Sequence, residues 1–344
     1  MPVTKEHMQA LYHQVCAAKD VKSIAALLQA DIWQLLKMRL DKPYYVFEVQ
    51  SNKGKKRLIE TPHKDFKIIL RKLNDHLQSA YFFCRTPAAY GFVQQPRNAN
   101  KKRNILSNAK LHCGKKYLLN IDLKDFFHQV SRMRVISIFK SPPFNYTMEL
   151  SEFLGELTTY QNRLPMGSPT SPALSNFASM DLDMELLAYS QQQGFRYSRY
   201  VDDLSFSSNQ PISLTQYYGF QDIIGKKGFT INMEKIKWMN EPDEKIVTGL
   251  ILKEKPEVSP EFIADLETNI ERYKHVLEFS AVAKRKNQDE WTQQFREYFL
   301  GKLRFLQMVY GYQHPVVKRI NKLYYEAYNT RSFVESFNWS NFPY

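Results

Sequence analysis

Glycine is scarce in this chain, with 12 in 344 residues, and no Gly/Ser-rich linker, low-complexity tract or internal repeat interrupts it. Beads on a flexible string are therefore excluded, and a few subdomains packed together are expected. Cysteine is rarer still: Cys16, Cys84 and Cys113 are odd in number and share no CxxC spacing. Their pattern argues against a disulfide framework or a zinc site and for a reducing compartment. No apolar run approaches the roughly 18 residues that a membrane span needs. The start, MPVTKEHMQALYHQVC, is charged and lacks a signal-peptide core. A cytoplasmic protein with no membrane partner is the expectation. What the chain does have is 43% hydrophobic residues, enough for a sizeable core, so disordered and mini-protein classes are out.

Acidic residues are short in one place only. Residues 51–116 carry 16 Lys+Arg against Glu60, Asp65 and Asp75, while the rest of the chain is balanced, so this stretch holds the whole excess of +13. A basic block of this kind is the electrostatic footprint of a phosphate backbone. Aromatic residues interleave it (Tyr81, Phe82, Phe83, Tyr90 and Phe92), and such rings can stack on bases or sugars. The competing reading is a solvated basic face; the asymmetry favours nucleic acid or nucleotide.

Hydrophobic periodicity gives a mixed α+β architecture. Residues 5–40 read as helices, with Ser23 or Asp20 as an N-cap. YYVFEVQ and KRLIET read as a hairpin turned at Asn52 and Gly54, followed by a basic helix over 64–78. KYLLNIDL reads as a strand with Leu119 and Ile121 on one face, Asn120 and Asp122 on the other. A helix over 171–193 precedes a second hairpin, FRYSRYV and LSFSS, folded at Asp202-Asp203. From about Pro256 onward the pattern is amphipathic helix.

The chemistry sits on strand ends. Asp122 closes one strand, and Asp202 and Asp203 lie at the tip of a hairpin eighty residues later. Adjacent carboxylates on a tight turn repel each other and call for compensation, which divalent cations supply. Carboxylates so gathered can hold two Mg²⁺ roughly 4 Å apart for phosphoryl or nucleotidyl transfer. Taken alone, an Asp-Asp pair is more often a solvated turn.

Six blocks in order change that balance. GKKRLIETPHKDFK (54–67), AYGFVQQ (89–95), NIDLKDFF (120–127), LPMGSPTSPALSN (164–176), YVDD (200–203) and GFTINMEKIK (228–237) resemble those of a reverse transcriptase. NAKLH (108–112) and VTG (247–249) narrow the likeness to bacterial retron enzymes. The resemblance implies a right-hand fold: an N-terminal helical extension (1–43), basic fingers (44–115), a palm whose antiparallel sheet carries the carboxylates (116–252), and a helical, RNA-binding thumb (253–344). It implies Asp122, Asp202 and Asp203 as catalytic metal ligands for two Mg²⁺ ions, with Mn²⁺ able to substitute. Arg57 and Lys55 would grip the triphosphate, beside backbone N–H groups of the turn through Asp125 and Phe126. Phe127 falls at the sugar-gate position, Met166 and Gly167 lie near the nucleotide, and Lys235 would assist pyrophosphate departure. Met166 departs from the glutamine usual there, exchanging an amide for a thioether that packs but donates nothing. Asn108, His112, Val247, Thr248 and Gly249 would contact RNA.

The activity so implied is RNA-directed DNA synthesis on a cognate structured noncoding RNA with dNTPs. Priming from an internal guanosine 2′-hydroxyl would leave a branched RNA–single-stranded DNA hybrid. An effector protein from the same locus would complete an antiphage system. The helical thumb takes up roughly ninety residues, fewer than the ~130 of an RNase H domain, so host RNase H is expected to remove template. The alternatives are an inactive RNA-binding scaffold of the same fold, another group II-like bacterial reverse transcriptase, or a two-metal nuclease.

Overall fold

The computed structural model describes residues 3–50, 54, 56–283 and 288–336, so Asn52 of the first turn and the candidate ligand Lys55 lie outside the described residues. Helix and sheet are mixed, and the chain divides into two compact units, Met1–Thr248 and Gly249–Tyr344.

Unit one opens on three capped helices, α1 (Lys5–Cys16), α2 (Val21–Leu28) and α3 (Ile32–Asp41). Asp20 is the N-cap of α2 and Ser23 its partner three residues on, so the two candidates form one reciprocal capping box. Strands β1 (Tyr44–Gln50) and β2 (Lys56–Pro62) pair antiparallel from Tyr44↔Pro62 to Gln50↔Lys56. β1 is exposed along nearly its whole length, while β2 becomes buried towards Glu60 and Pro62. The helix after it, α4 (Lys64–Cys84), runs beyond residue 78 because Ala80 and Tyr81 continue its buried stripe.

Next come α5 (Ile105–His112), β3 (Tyr117–Asp122), α6 (Arg132–Lys140), α7 (Met148–Thr158), α8 (Ser171–Ala178) and α9 (Met180–Gln192). One helix was expected over 171–193, but Ser179, at φ −93° and ψ 0°, separates α8 from α9. Its hydroxyl donates to the Ser175 carbonyl at 2.9 Å beside its own amide at 3.1 Å.

Strands β4 (Arg196–Tyr200) and β5 (Asp203–Ser208), helix α10 (Leu214–Lys226), a 3₁₀ turn (Met233–Lys235), β6 (Lys237–Met239) and β7 (Ile246–Val247) complete unit one. The sheet β4-β5-β3-β6 is antiparallel throughout. Directly paired residues share a face. One face therefore carries Leu119, Ile121, Leu204, Phe206 and Tyr197, buried with Phe220 of α10, whose ring stacks 4.0 Å from Phe206. The other carries Ser198, Ser205 and Ser207, and at its open end Asp122 and Asp203. The alternation expected for Leu119/Ile121 against Asn120/Asp122 is thus present.

Unit two has a short hairpin, β8 (Leu250–Leu252) with β9 (Pro256–Glu257), and three helices, α11 (Pro260–Ala283), α12 (Gln288–Tyr310) and α13 (Pro315–Ser336). Leu266, Ile270, Tyr273, Phe299, Leu303, Leu306, Val317, Ile320 and Tyr324 recur at helical spacing and are buried together. Among the described residues no helix is long and apolar enough to cross a membrane.

Candidate active site

The antiparallel register sets Asp122, the last residue of β3, opposite Asp203, the first of β5. Asp202 precedes it in the two-residue turn Val201–Asp202, with Tyr200 paired to Asp203 across the turn. Val201 has φ 63°, a left-handed value that such turns give to glycine or asparagine and that a β-branched residue adopts only under constraint. The constraint is visible. Leu123 N–H donates to the Asp202 carbonyl at 3.0 Å, stitching the turn to β3. Asn232 N–H donates to the Asp122 carbonyl at 2.8 Å and Lys124 N–H to that of Thr230 at 2.9 Å. Segments from three distant parts of the chain meet at one strand end.

Electrostatics there are strained in one sense. Desolvation, with the Asp122 charge added, raises the pKa of Asp202 from its ordinary value and so weakens it as an acid. Desolvation, with the charges of Asp202 and Asp122 added, pushes Asp203 up to about 6. The Lys235 ammonium lies 2.8 Å from both Asp122 oxygens, and Asn232 Nδ2 donates to Oδ1 at 3.2 Å. Lys237 and Arg57 contribute further positive charge, acting on Asp203 and Asp202 respectively.

The donor set fits a hard divalent cation. Three carboxylates act on one another at one strand end, and their mutual repulsion is the energy a cation would release. Among the described residues no three Asp, Glu, His or Cys side chains converge as a ready cage. Mg²⁺ rarely asks for one: it keeps waters and takes substrate phosphates alongside one or two carboxylates.

Arg57 stands exposed on β2; its neighbour Lys56 is tied to Glu48 at 3.0 Å. The strand is fixed lower down. Glu60, fully buried, receives both arms of Arg163 at 2.7 and 2.8 Å. His128 Nε2 lies 3.3 Å from Glu60 without hydrogen-bond alignment, and desolvation lowers its basicity. Glu60 N–H donates to the Met166 carbonyl at 2.8 Å. Gly167, at φ 132°, lies so close that a Cβ would stand 2.8 Å from the Glu60 carbonyl oxygen. The missing Cβ of Gly167 thus makes room for the β2 backbone.

In the turn after Asp122, the Lys124 amide is already engaged by Thr230, so it is not free for a triphosphate. Asp125 is exposed with φ 44°, and Phe126 is buried, its ring 5.7 Å from Phe229; only its backbone can face a ligand. Phe127 is partly exposed, 5.7 Å from Phe126 and 6.0 Å from Phe92.

Three of the residues expected to contact RNA lie in the interior. Asn108 and His112 are buried at 1% and 0% exposure, so neither side chain faces solvent. His112 instead bridges Ser207 at 2.7 Å and Ser198 at 2.8 Å, fastening α5 to the serine face of the sheet. Val247 is buried too. Thr248 and Gly249 have φ 49° and 78°; Gly249 is exposed, and Thr248 Oγ1 donates to the Ile105 carbonyl at 3.2 Å.

Sequence reasoning missed four contributors: Glu60, Asn232, Asn176 and Arg199. Arg199 is fully buried, with Nε and Nη2 each 2.8 Å from Asp183 and Nη1 donating to the Val201 carbonyl at 3.0 Å. An arginine three residues before the Asp pair, on a strand otherwise reading as buried, was the available signal.

Comparison with known proteins identifies the family. Residues 15–276 match the family described as reverse transcriptase (RNA-dependent DNA polymerase). The chain is 30% identical over 239 residues to the Retron Ec86 reverse transcriptase of Escherichia coli, covering 67% of this chain and 70% of that one. It is 28% identical over 254 residues to the Retron Mx65 reverse transcriptase of Myxococcus xanthus, covering 67% and 57%. It is 31% identical over 236 residues to the Retron Ec73 reverse transcriptase of Escherichia coli, covering 62% and 70%.

Proposed function

The chain belongs to the reverse transcriptase family of RNA-dependent DNA polymerases, among its retron members, and from that premise we propose that it copies part of a structured noncoding RNA into single-stranded DNA. Synthesis would start from an internal guanosine 2′-hydroxyl, giving a branched RNA–DNA product. The observation that carries this reading is the meeting of Asp122, Asp202 and Asp203 at the β3–β5 end, within the electrostatic reach of Arg57 and Lys235. Hydrolysis alone needs neither a triphosphate grip nor a sugar gate, which disfavours the nuclease alternative.

In this reading β1–β2 and the basic stretch to residue 115 act as fingers, the four-stranded sheet as palm and α11–α13 as an RNA-binding thumb. Mg²⁺ bound to the oxygens of Asp122 and Asp202, with Asp203 beside them, would polarise the phosphoryl group and acidify the attacking hydroxyl. Arg57 presents a fork of donors matched to phosphate oxygens, and it stands on a strand held by Glu60, Arg163 and Met166. The backbone at Asp125 and Phe126 offers further N–H groups. Phe127 would lie under the sugar and leave no room for a 2′-hydroxyl. Lys235, freed from Asp122, can give a proton to the departing pyrophosphate. The basic block would follow the RNA backbone, and an effector and host RNase H belong to the same proposal, as does a cytoplasmic setting.

The test is the nucleic acid that co-purifies with the chain expressed from its native flanking DNA, wild type beside Asp202→Asn. A discrete single-stranded DNA joined to RNA in the wild type and absent from the variant is the expected result. RNA alone in both, with no metal-dependent dNTP incorporation, would leave a binding scaffold in place of a polymerase.

A further inference from the structure

The block AYGFVQQ has no role in the proposal so far, yet its backbone is among the most constrained near the site. Phe92 has φ 55°, a left-handed conformation that a bulky aromatic residue takes only when its surroundings impose it. Asn176, fully buried, imposes it: its Nδ2 donates to the Gly91 carbonyl at 3.1 Å and the Phe92 carbonyl at 3.2 Å. The Asn176 amide is oriented in turn by Arg199, whose Nη1 donates to Oδ1 at 3.1 Å. Gly91 packs on the carboxylate turn so tightly that a Cβ would stand 2.7 Å from Val201. The result of this bracing is a ring that is 39% exposed, whose centroid lies 6.0 Å from that of Phe127 at an interplanar angle of 33°.

A strained backbone that holds an aromatic ring half in solvent makes poor sense as core packing. It makes sense if the ring's position matters to whatever Phe127 meets. We infer that Phe92 is a specificity-positioning residue: it is the wall against which Phe127 rests, so that discrimination against a nucleotide's 2′-hydroxyl depends on both rings. The inference rests on the reading of Phe127 as the sugar gate. It adds that the gate's stiffness comes from a neighbour on another segment, braced by the same arginine that holds the Val201 turn. Without Phe92, Phe127 gains room to retreat, and a ribose could be admitted.

The test compares kcat/KM for matched dNTP and rNTP in primer extension on a defined RNA template. Phe92→Gly removes the ring and suits a positive φ, so it deletes the wall without backbone strain. Its dNTP:rNTP ratio is expected to fall roughly tenfold, while Phe92→Tyr keeps the wild-type ratio. Phe127→Ala should lower the ratio further, and adding Phe92→Gly to it should change little, because a wall has no effect once the gate is gone. A merely structural Phe92 would instead lower both kcat/KM values together and leave the ratio intact, which overturns the inference. An unchanged ratio in Phe127→Ala overturns the gate reading itself, and the two failures are thereby distinguished.

Discussion

Two carboxylate–cation pairs flank the same sheet and are built for opposite fates. On the aromatic face, Arg199 and Asp183 are both fully buried, and Tyr197 and Thr86 add donors at 3.0 and 2.9 Å, so the aspartate accepts four hydrogen bonds. On the serine face, Asp122 and Lys235 meet at the strand end with side chains 11% and 44% exposed. A pair sealed from water cannot exchange partners without unpaired charge in a dry interior. A pair whose lysine stands half in water can release it when a better cation arrives, because the freed ammonium is solvated at once. The same chemistry thus serves as a pin in one place and as a replaceable counter-charge in the other.

Breaking the pin should have the largest effect. Arg199→Ala leaves Asp183 buried without its partner and frees the Val201 carbonyl, so chemical denaturation is expected to report a loss of about 3–5 kcal/mol. Replacing both members, Arg199→Met with Asp183→Leu, should recover most of that loss, since the desolvation cost then falls away with the attraction. A single substitution costing under about 1 kcal/mol would mean the pair behaves like a surface bridge, and the contrast would collapse.

Lys235→Ala should divide its effect the other way. Stability is expected to change by less than about 1 kcal/mol, because the lysine half of the pair is exposed and screened by solvent. Turnover at saturating dNTP should drop on the order of a hundredfold, the usual scale for a lost proton donor, with KM little altered. A melting temperature that falls as far as that of Arg199→Ala would place Lys235 among the pins.

The contrast also marks what was legible in the sequence. Asp122, Asp202 and Asp203 were singled out by the ordered blocks around them, not by the alternation; Asp122 and Asp203 could be placed because they stand at the ends of alternating strands, and Asp202 because the hairpin turns there. The hairpins, the capped N-terminal helices and the late amphipathic helices follow from periodicities of two and 3.6 in the same way. Arg199 could not be read so. Both faces of β4 are buried, so alternation carries no information there, and its partner comes from α9 sixteen residues earlier. The interruption at Ser179 is a local change of backbone conformation inside an unbroken helical pattern, so periodicity gives no sign of it. The burial of Asn108 and His112 in NAKLH could not be read either, because resemblance conveys that residues belong together, not whether they face solvent or core.

His112 offers a third state of charge on this sheet, neither pin nor counter-charge, and the smallest expected effect. It is buried between two serine hydroxyls, and desolvation, followed by the nearby Arg196 charge, lowers its pKa from 6.5 to about 3. The unfolded chain therefore takes up a proton as pH falls through 6.5, while the folded chain does not until near 3. Folding must lose stability in that window, by about 2 kcal/mol between pH 6.5 and pH 5 from this one group. His112→Gln keeps an amide able to bond both serines and has no titration, so its denaturation midpoint should fall less than the wild type's over the same range. Parallel pH profiles for the two proteins would mean that His112 is protonated in the fold, and that α5 is fastened by a charge after all.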